Sequence, residues 1–290
     1  MAGLAADLAA RIDPLAAKTG GVVGLSVTQL AGGAHFGLRE DELFPLASLV
    51  KAPILVALFD GVRAGSIDLE ERVTYRRALR VPGSGVLQDL DDGLAPTVRD
   101  LAMLMITVSD NTSADLLLER VGKDGVERAM DAIGCSSVRV PFSIMELFEE
   151  LTDSPGADYE TLQRLLRASA GSGGRAIVAE TGVRGTPRDM CRLFELLESR
   201  AILDEASCAA VLDILKRTKT DTRIPALLPK GTIVAHKTGT IRGVRCDAGI
   251  VYAPNGPYAI AIMSKGVRSD LRVDLALAEI SLAVYEALVA

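Results

Sequence analysis

The chain has 290 residues, of which 49% are hydrophobic and 24% charged, with a formal net charge of −6. Such a composition describes a globular chain able to bury a sizeable core, and its acidic balance without a basic block argues against a nucleic-acid partner. The longest apolar runs fall far short of the ~20 residues a membrane span needs.

The four cysteines, Cys135, Cys191, Cys208 and Cys246, form no C-x-x-C pair, so they read as reduced, packed thiols and not as a zinc site. The only histidines are His35 and His236. A multi-histidine metal centre is therefore not expected, and no cofactor is. A Ser-His-Asp triad would have to use one of the two, and neither lies in a recognisable motif. Both read as ordinary strand or hairpin residues. Asp7, Arg11 and Asp13 interrupt the N-terminal stretch, which lacks a basic-then-apolar leader pattern. The chain as written reads as cytoplasmic, or as periplasmic or secreted if a leader has been removed.

In chain order, Leu4, Leu8, Ile12 and Leu15 predict an amphipathic helix over 3–18 that ends at Gly20-Gly21. Val23, Leu25 and Val27 alternate as in a strand, and Ala31-Gly32-Gly33 turns it into a second strand through His35-Phe36-Gly37. Ala47 to Phe59 is an apolar run with Ser48 and Lys51 at its head. Read as a helix, this spacing puts the hydroxyl and the amine on one face. A serine needs a neighbouring base to become a nucleophile, and a lysine serves as one only when burial or a second cation lowers its pKa.

Residues 61–95 read as loops with turns at Pro82-Gly83-Ser84-Gly85 and Asp91-Asp92-Gly93. Gly83-Ser84-Gly85 lacks the G-x-S-x-G spacing of a nucleophile elbow and reads as a loop. Thr97-Val98-Arg99-Asp100 resembles a capping box opening a helix through Ile106, and Ser109-Asp110-Asn111 separates it from a helix over Ser113–Val121. Residues 139–186 are the least periodic. They hold Glu146, Glu149 and Glu150 on a short helical pattern, a helix from Tyr159 to Ala168, and a Gly171-Ser172-Gly173-Gly174 loop without Walker spacing. Thr186-Pro187-Arg188-Asp189 starts a helix to about Ser199, and Asp204 opens another ending near Thr218. Thr232–Ala235 reads as a strand leading into His236-Lys237-Thr238-Gly239-Thr240. Gly249–Ala253 and Tyr258–Met263 form a hairpin, and Leu277, Ile280, Val284 and Leu288 mark a closing helix.

Strands thus cluster at both ends around a helical middle. This predicts an α+β fold: a five-stranded antiparallel sheet flanked by terminal helices, with an inserted all-helical lobe. One domain over 1–290 is expected, with an α/β lobe at 1–42 and 222–290, a helical lobe at 43–221, and a ligand cleft between them.

Ser48-x-x-Lys51, Ser109-Asp110-Asn111 and Lys237-Thr238-Gly239, in this order, match the signature set of serine β-lactamases and penicillin-binding proteins. The text around Ser109, Ile106 to Ala114, and the spacing 109 − 48 = 61 match as well. The chain resembles the class A β-lactamase family and its class A-like serine hydrolase relatives over nearly its whole length. That resemblance implies an acyl-enzyme on Ser48, with Lys51 taking its proton and Ser109 passing a proton to the leaving nitrogen. Asn111 would hold the substrate amide and steady Lys51, and Lys237 would depress the pKa of Lys51 and attract an anionic substrate. The Ser48 and Thr240 N–H groups would form the oxyanion hole. Thr238, Gly239 and Thr240 would line the substrate, with Gly239 leaving room for it. Arg245 falls where the family places an arginine for the substrate carboxylate.

One departure stands out. The family's Glu-x-x-x-Asn loop, whose glutamate activates the deacylating water, is missing, since the only asparagines are Asn111 and Asn255. Glu146 and Glu180 are the substitutes this stretch offers. The expected substrate is a small β-lactam, amide or peptide-like molecule, opened by a serine hydrolase with slow deacylation. The alternatives are a D-alanyl peptidase or esterase of the same fold, and a β-lactam-binding sensor that does not turn over.

Overall fold

In a computed structural model of the chain, which describes residues 2–168, 179–267 and 271–289, the elements begin with helix α1 (Ala2–Lys18) and strands β1 (Val22–Gln29), β2 (His35–Leu38) and β3 (Phe44–Pro45). Seven helices follow: α2 (Lys51–Arg63), α3 (Val98–Thr107), α4 (Asn111–Val121), α5 (Lys123–Ala132), α6 (Ile144–Thr152), α7 (Tyr159–Ala168) and, after β4 (Arg184–Gly185), α8 (Pro187–Glu198). Then come α9 (Glu205–Leu215), β5 (Ile233–Ile241), β6 (Val244–Ala253), β7 (Gly256–Lys265) and α10 (Leu271–Val289). The Gly171–Gly174 loop reading lies outside the described residues.

The expected five-stranded antiparallel sheet is present, in the order β2-β1-β7-β6-β5. Its period-2 alternation sorts side chains between two cores. Val23, Leu25, Val27, Tyr258, Ile260 and Ile262 join Leu8 and Ile12 of α1 and Leu277, Ile280 and Val284 of α10 on one face. Ala259, Ala261 and Met263 face the other core, which holds Met190, Leu193 and Phe194 of α8 and the apolar length of α2. Gly24 turns to this second side because a Cβ there would stand 2.6 Å from the Phe44 ring and 2.8 Å from Pro187. Among the described residues no helix is long and apolar enough to cross a membrane.

Three local readings change. Ser48 is not in an α-helix: Ala47–Val50 is a 3₁₀ turn and α2 begins at Lys51. The Lys51 N–H closes this turn onto the Ser48 carbonyl. Residues i and i+3 eclipse in a 3₁₀ turn, so the shared face survives by a different geometry. Strands β5 and β6 are longer than their apolar stretches, because the polar Lys237-Thr238-Gly239-Thr240 run belongs to the ladder itself. Helix α5 gave no sequence signal, since Val126 and Met130 are its only buried residues.

Candidate active site

Three elements converge on one point. The first is the 3₁₀ turn bearing Ser48, which Ala47 enters at a φ of 47°. Strand β5 packs on this turn, and Gly239 is what allows it: a Cβ there would run into the Leu46 carbonyl and stand 3.0 Å from the Leu49 nitrogen. The glycine thus makes room for the serine-bearing backbone, where the sequence reading had it make room for substrate.

The second element is the turn between α3 and α4. Thr97 and Asp100 form the expected capping box at the start of α3. At its other end Ser109 holds a φ of 56°, a left-handed conformation that costs a non-glycine residue about 1–2 kcal/mol. Asp110, fully buried, caps α4 by accepting from the Ser113 N–H at 2.8 Å. The third element is β5, which carries Lys237, Thr238 and Thr240.

A cavity of about 310 Å³ lies where the three meet. Ser48, Ser109, Asn111, Thr238 and Thr240 all line it. Lys51 and Lys237 sit beneath it, 0% and 1% exposed. Lys51 Nζ donates to Asn111 Oδ1 at 2.6 Å, to the Ser109 carbonyl at 2.7 Å and to Ser109 Oγ at 3.2 Å. Lys237 donates to the same Ser109 Oγ at 3.2 Å and to the Thr238 carbonyl at 2.8 Å. Ser109 Oγ is thus shared by two lysines.

Burial pushes Lys51 well below the ordinary lysine range, and Lys237 pushes the same way against Asp110 and Asp115. Burial also brings Lys237 down to about 7, with Asp247 opposing and Arg223 adding to the fall. Two amines taken out of water side by side are poor at holding two protons.

Arg245 stands apart. It does not line the cavity. Its Nη1 donates to the Ile241 and Val244 carbonyls, both at 3.0 Å, and its Nε lies 3.5 Å from Asp274. The tight turn between β5 and β6 folds this side chain back onto its own backbone. Arg223, which sequence reading missed, does not line the cavity either, but it braces Thr240, which does. It is 2% exposed and donates to Thr240 Oγ1 at 2.6 Å, to the Gly239 carbonyl at 3.0 Å and to Asp274 at 2.7 Å. It lies between α9 and β5 in a stretch without periodicity, so only its charge could have drawn attention. His236 and Asp247 serve it from behind the strand. His236 Nδ1 lies 2.8 Å from Asp247, whose other oxygen accepts from the Ile224 N–H at 3.0 Å.

Neither candidate glutamate reaches the cavity. Glu146 accepts from the Ser143 N–H at 2.7 Å and from Lys123 at 2.8 Å, capping its own helix. Glu180 is exposed. The α6 side of the cavity is instead Ile144, Leu147 and Phe148.

The family model described as the beta-lactamase enzyme family matches residues 7–288. The chain belongs to the beta-lactamase enzyme family. This family member is 27% identical over 271 residues to the beta-lactamase regulatory protein BlaB of Streptomyces cacaoi, covering 85% of each chain. Among solved structures, the β-lactamase of Sphaerobacter thermophilus superposes with a TM-score of 0.80 at 29% identity, covering 99% of this chain and 97% of that one. PBP-A superposes with a TM-score of 0.81 at 30% identity, covering 97% and 96%. The fold and the family membership agree with the sequence resemblance, and the protein is a serine hydrolase of this family.

Proposed function

We propose that this enzyme opens a β-lactam or a related D-alanyl-type amide or ester through an acyl-enzyme on Ser48, and that it releases the acyl group slowly. Lys51, whose protonation is opposed by burial and by Lys237, takes the Ser48 proton as the oxygen attacks the carbonyl carbon. Two N–H groups, of Ser48 and Thr240, receive the oxyanion. Ser109 Oγ, bonded to both lysines, passes a proton to the leaving nitrogen as the C–N bond breaks. Asn111 holds Lys51 and the substrate amide. Lys237, Thr238 and Thr240 present the positive, hydroxyl-rich end where a substrate carboxylate fits, with Arg223 holding Thr240 Oγ1 from behind.

The observation that supports slow release is the lining of the cavity. It contains no carboxylate among the described residues, and Ser169 to Val178 contain neither Asp nor Glu. Among the described residues a water on the ester has no general base other than Lys51, and loss of a positioned base costs ~10²–10⁴ in rate. The same observation supports the peptidase or esterase alternative, in which β-lactams act as trapping inhibitors.

Intact-protein mass after brief exposure to benzylpenicillin tests the assignment. The expected result is a gain of one penicilloyl group, absent in Ser48→Ala. An adduct that survives the substitution would remove Ser48 from the mechanism.

A further inference from the structure

The roles above leave the Gly83-Ser84-Gly85 loop without a purpose, yet it is built with care. Gly83 and Gly85 hold φ angles of 99° and 114°, open to glycine at no steric cost. A Cβ on Gly83 would stand 2.7 Å from Asn111 Nδ2, and one on Gly85 would run into the Asp110 carboxylate. The loop therefore lies directly on the turn between α3 and α4. Asp110 also accepts from the Val86 and Leu87 N–H groups at 2.6 and 2.9 Å. The buried Gln88 amide donates to the Gly83 and Gly85 carbonyls at 2.7 and 3.1 Å, one on each side of Ser84, while its own carbonyl accepts from Tyr159 at 3.0 Å. The Asn111 N–H donates to the Ser84 carbonyl at 3.0 Å.

All of this fixes one side chain. The Ser84 hydroxyl donates to the Ser109 carbonyl at 2.6 Å. That oxygen is the one to which Lys51 donates at 2.7 Å. Ser84 Oγ is also 3.3 Å from Asn111 Oδ1, the other short acceptor of Lys51.

We propose that Ser84 is a positioning residue for acylation, whose hydroxyl holds the strained Ser109 peptide and shares its carbonyl with Lys51 so that Lys51 stands ready to receive the Ser48 proton. This rests on the roles of Ser48 and Lys51 given above. A carbonyl has two lone pairs, and a second donor weakens its hold on the first. An ammonium needs three acceptors and an amine two, so the sharing costs the charged form more. The charged groups that face Lys51 are Lys237 from β5, which opposes its protonation, and Asp110 and Asp115 around α4, which favour it. The Ser84 hydroxyl acts in the direction of Lys237.

The sign of the effect follows. Without Ser84 the ammonium gains, and the base is protonated up to a higher pH. The test is single-turnover acylation by benzylpenicillin from about pH 5 to about pH 9, followed by rapid-quench mass spectrometry, for wild type, Ser84→Ala, Ser84→Thr and Ser48→Ala. The expected result for Ser84→Ala is a loss of about threefold on the acid side that disappears at high pH, with the acid limb moved up by about half a unit. Ser84→Thr restores the wild-type profile. A Ser84→Ala profile that superimposes on wild type, or a loss equal at every pH, would overturn the proposal. Absence of any Ser48-dependent adduct in the wild type would mark the failure of the acyl-enzyme reading itself, and the proposal would fall with it.

Discussion

The two sides of the cavity are built on opposite principles. On the side of the α3–α4 turn and β5, polar atoms crowd together: two buried lysines, three serines, an asparagine and the two threonines of β5, with Ser109 Oγ shared between both amines. On the side of α6, Ile144, Leu147 and Phe148 present only carbon. Those three share one face at i, i+3 and i+4, while Glu146, Glu149 and Glu150 repeat the same spacing two residues on and line a separate recess with Phe142 and Asp153. The helix is pinned in this orientation. Half-buried Asp115 accepts from the Ile144 and Met145 N–H groups at 2.7 and 2.9 Å, and Ser143 and Glu146 complete a capping box. It cannot roll to turn an acid inward without breaking these bonds. In the proposed reaction the first side makes the ester, and the second, among the described residues, brings no carboxylate to help remove it.

The largest expected effect attacks the polar side. Lys51→Ala lowers the acylation rate by ~10²–10⁴ while circular dichroism stays native, because the chemistry needs the base and the core does not need its charge. Unimpaired acylation would mean that another group takes the Ser48 proton.

The next tests the apolar side by changing it. Leu147→Glu sets a carboxyl into a dry wall, where burial raises its pKa towards neutral and suits it to act as a base. Deacylation is expected to quicken by at least ~10-fold, read as a shorter adduct lifetime, with a melting temperature lowered by the buried polar group. An adduct lifetime unchanged in both Leu147→Glu and Ile144→Glu would show that the missing carboxylate is not what limits release.

A comparable effect comes from pH. The ammonium form of Lys237 is populated below its pKa of about 7 and lost above it, so attraction for an anionic substrate fades as pH rises. The KM for a carboxylate-bearing β-lactam is expected to rise roughly tenfold between about pH 6 and about pH 8, while that of its methyl ester stays flat. Parallel profiles for acid and ester would remove Lys237 from recognition of the carboxylate.

The smallest effect sharpens the contrast from the acid-bearing side of α6. Glu146→Gln and Glu180→Gln are expected to leave the adduct lifetime within about twofold, and Glu146→Gln to keep the α6 cap, since glutamine also closes a capping box. A longer lifetime in either variant would bring that carboxylate into deacylation.

Much of this was legible in the residues. The alternation of Val23, Leu25 and Val27 and the 3.6-residue period of Leu277, Ile280 and Val284 report burial on one face, and burial is what these strands and helices share. The three polar motifs were legible because their chemistry demands fixed residue types in order. Arg223 was not, because it reaches Thr240 from a non-periodic segment and its position depends on the Asp247 carboxylate holding Ile224. The purpose of Gly239 was misread, since only the packing of β5 on the Leu46–Leu49 backbone reveals it. Glu146 looked available because sequence cannot tell a capping acid from a catalytic one.

Rapid mixing with a chromogenic cephalosporin, following product release and intact mass in the same time course, tests the imbalance between the two sides most directly. A burst of about one equivalent per enzyme, then a slow phase during which the Ser48 adduct predominates, is the expected result. Linear, burst-free hydrolysis with no accumulating adduct would contradict it.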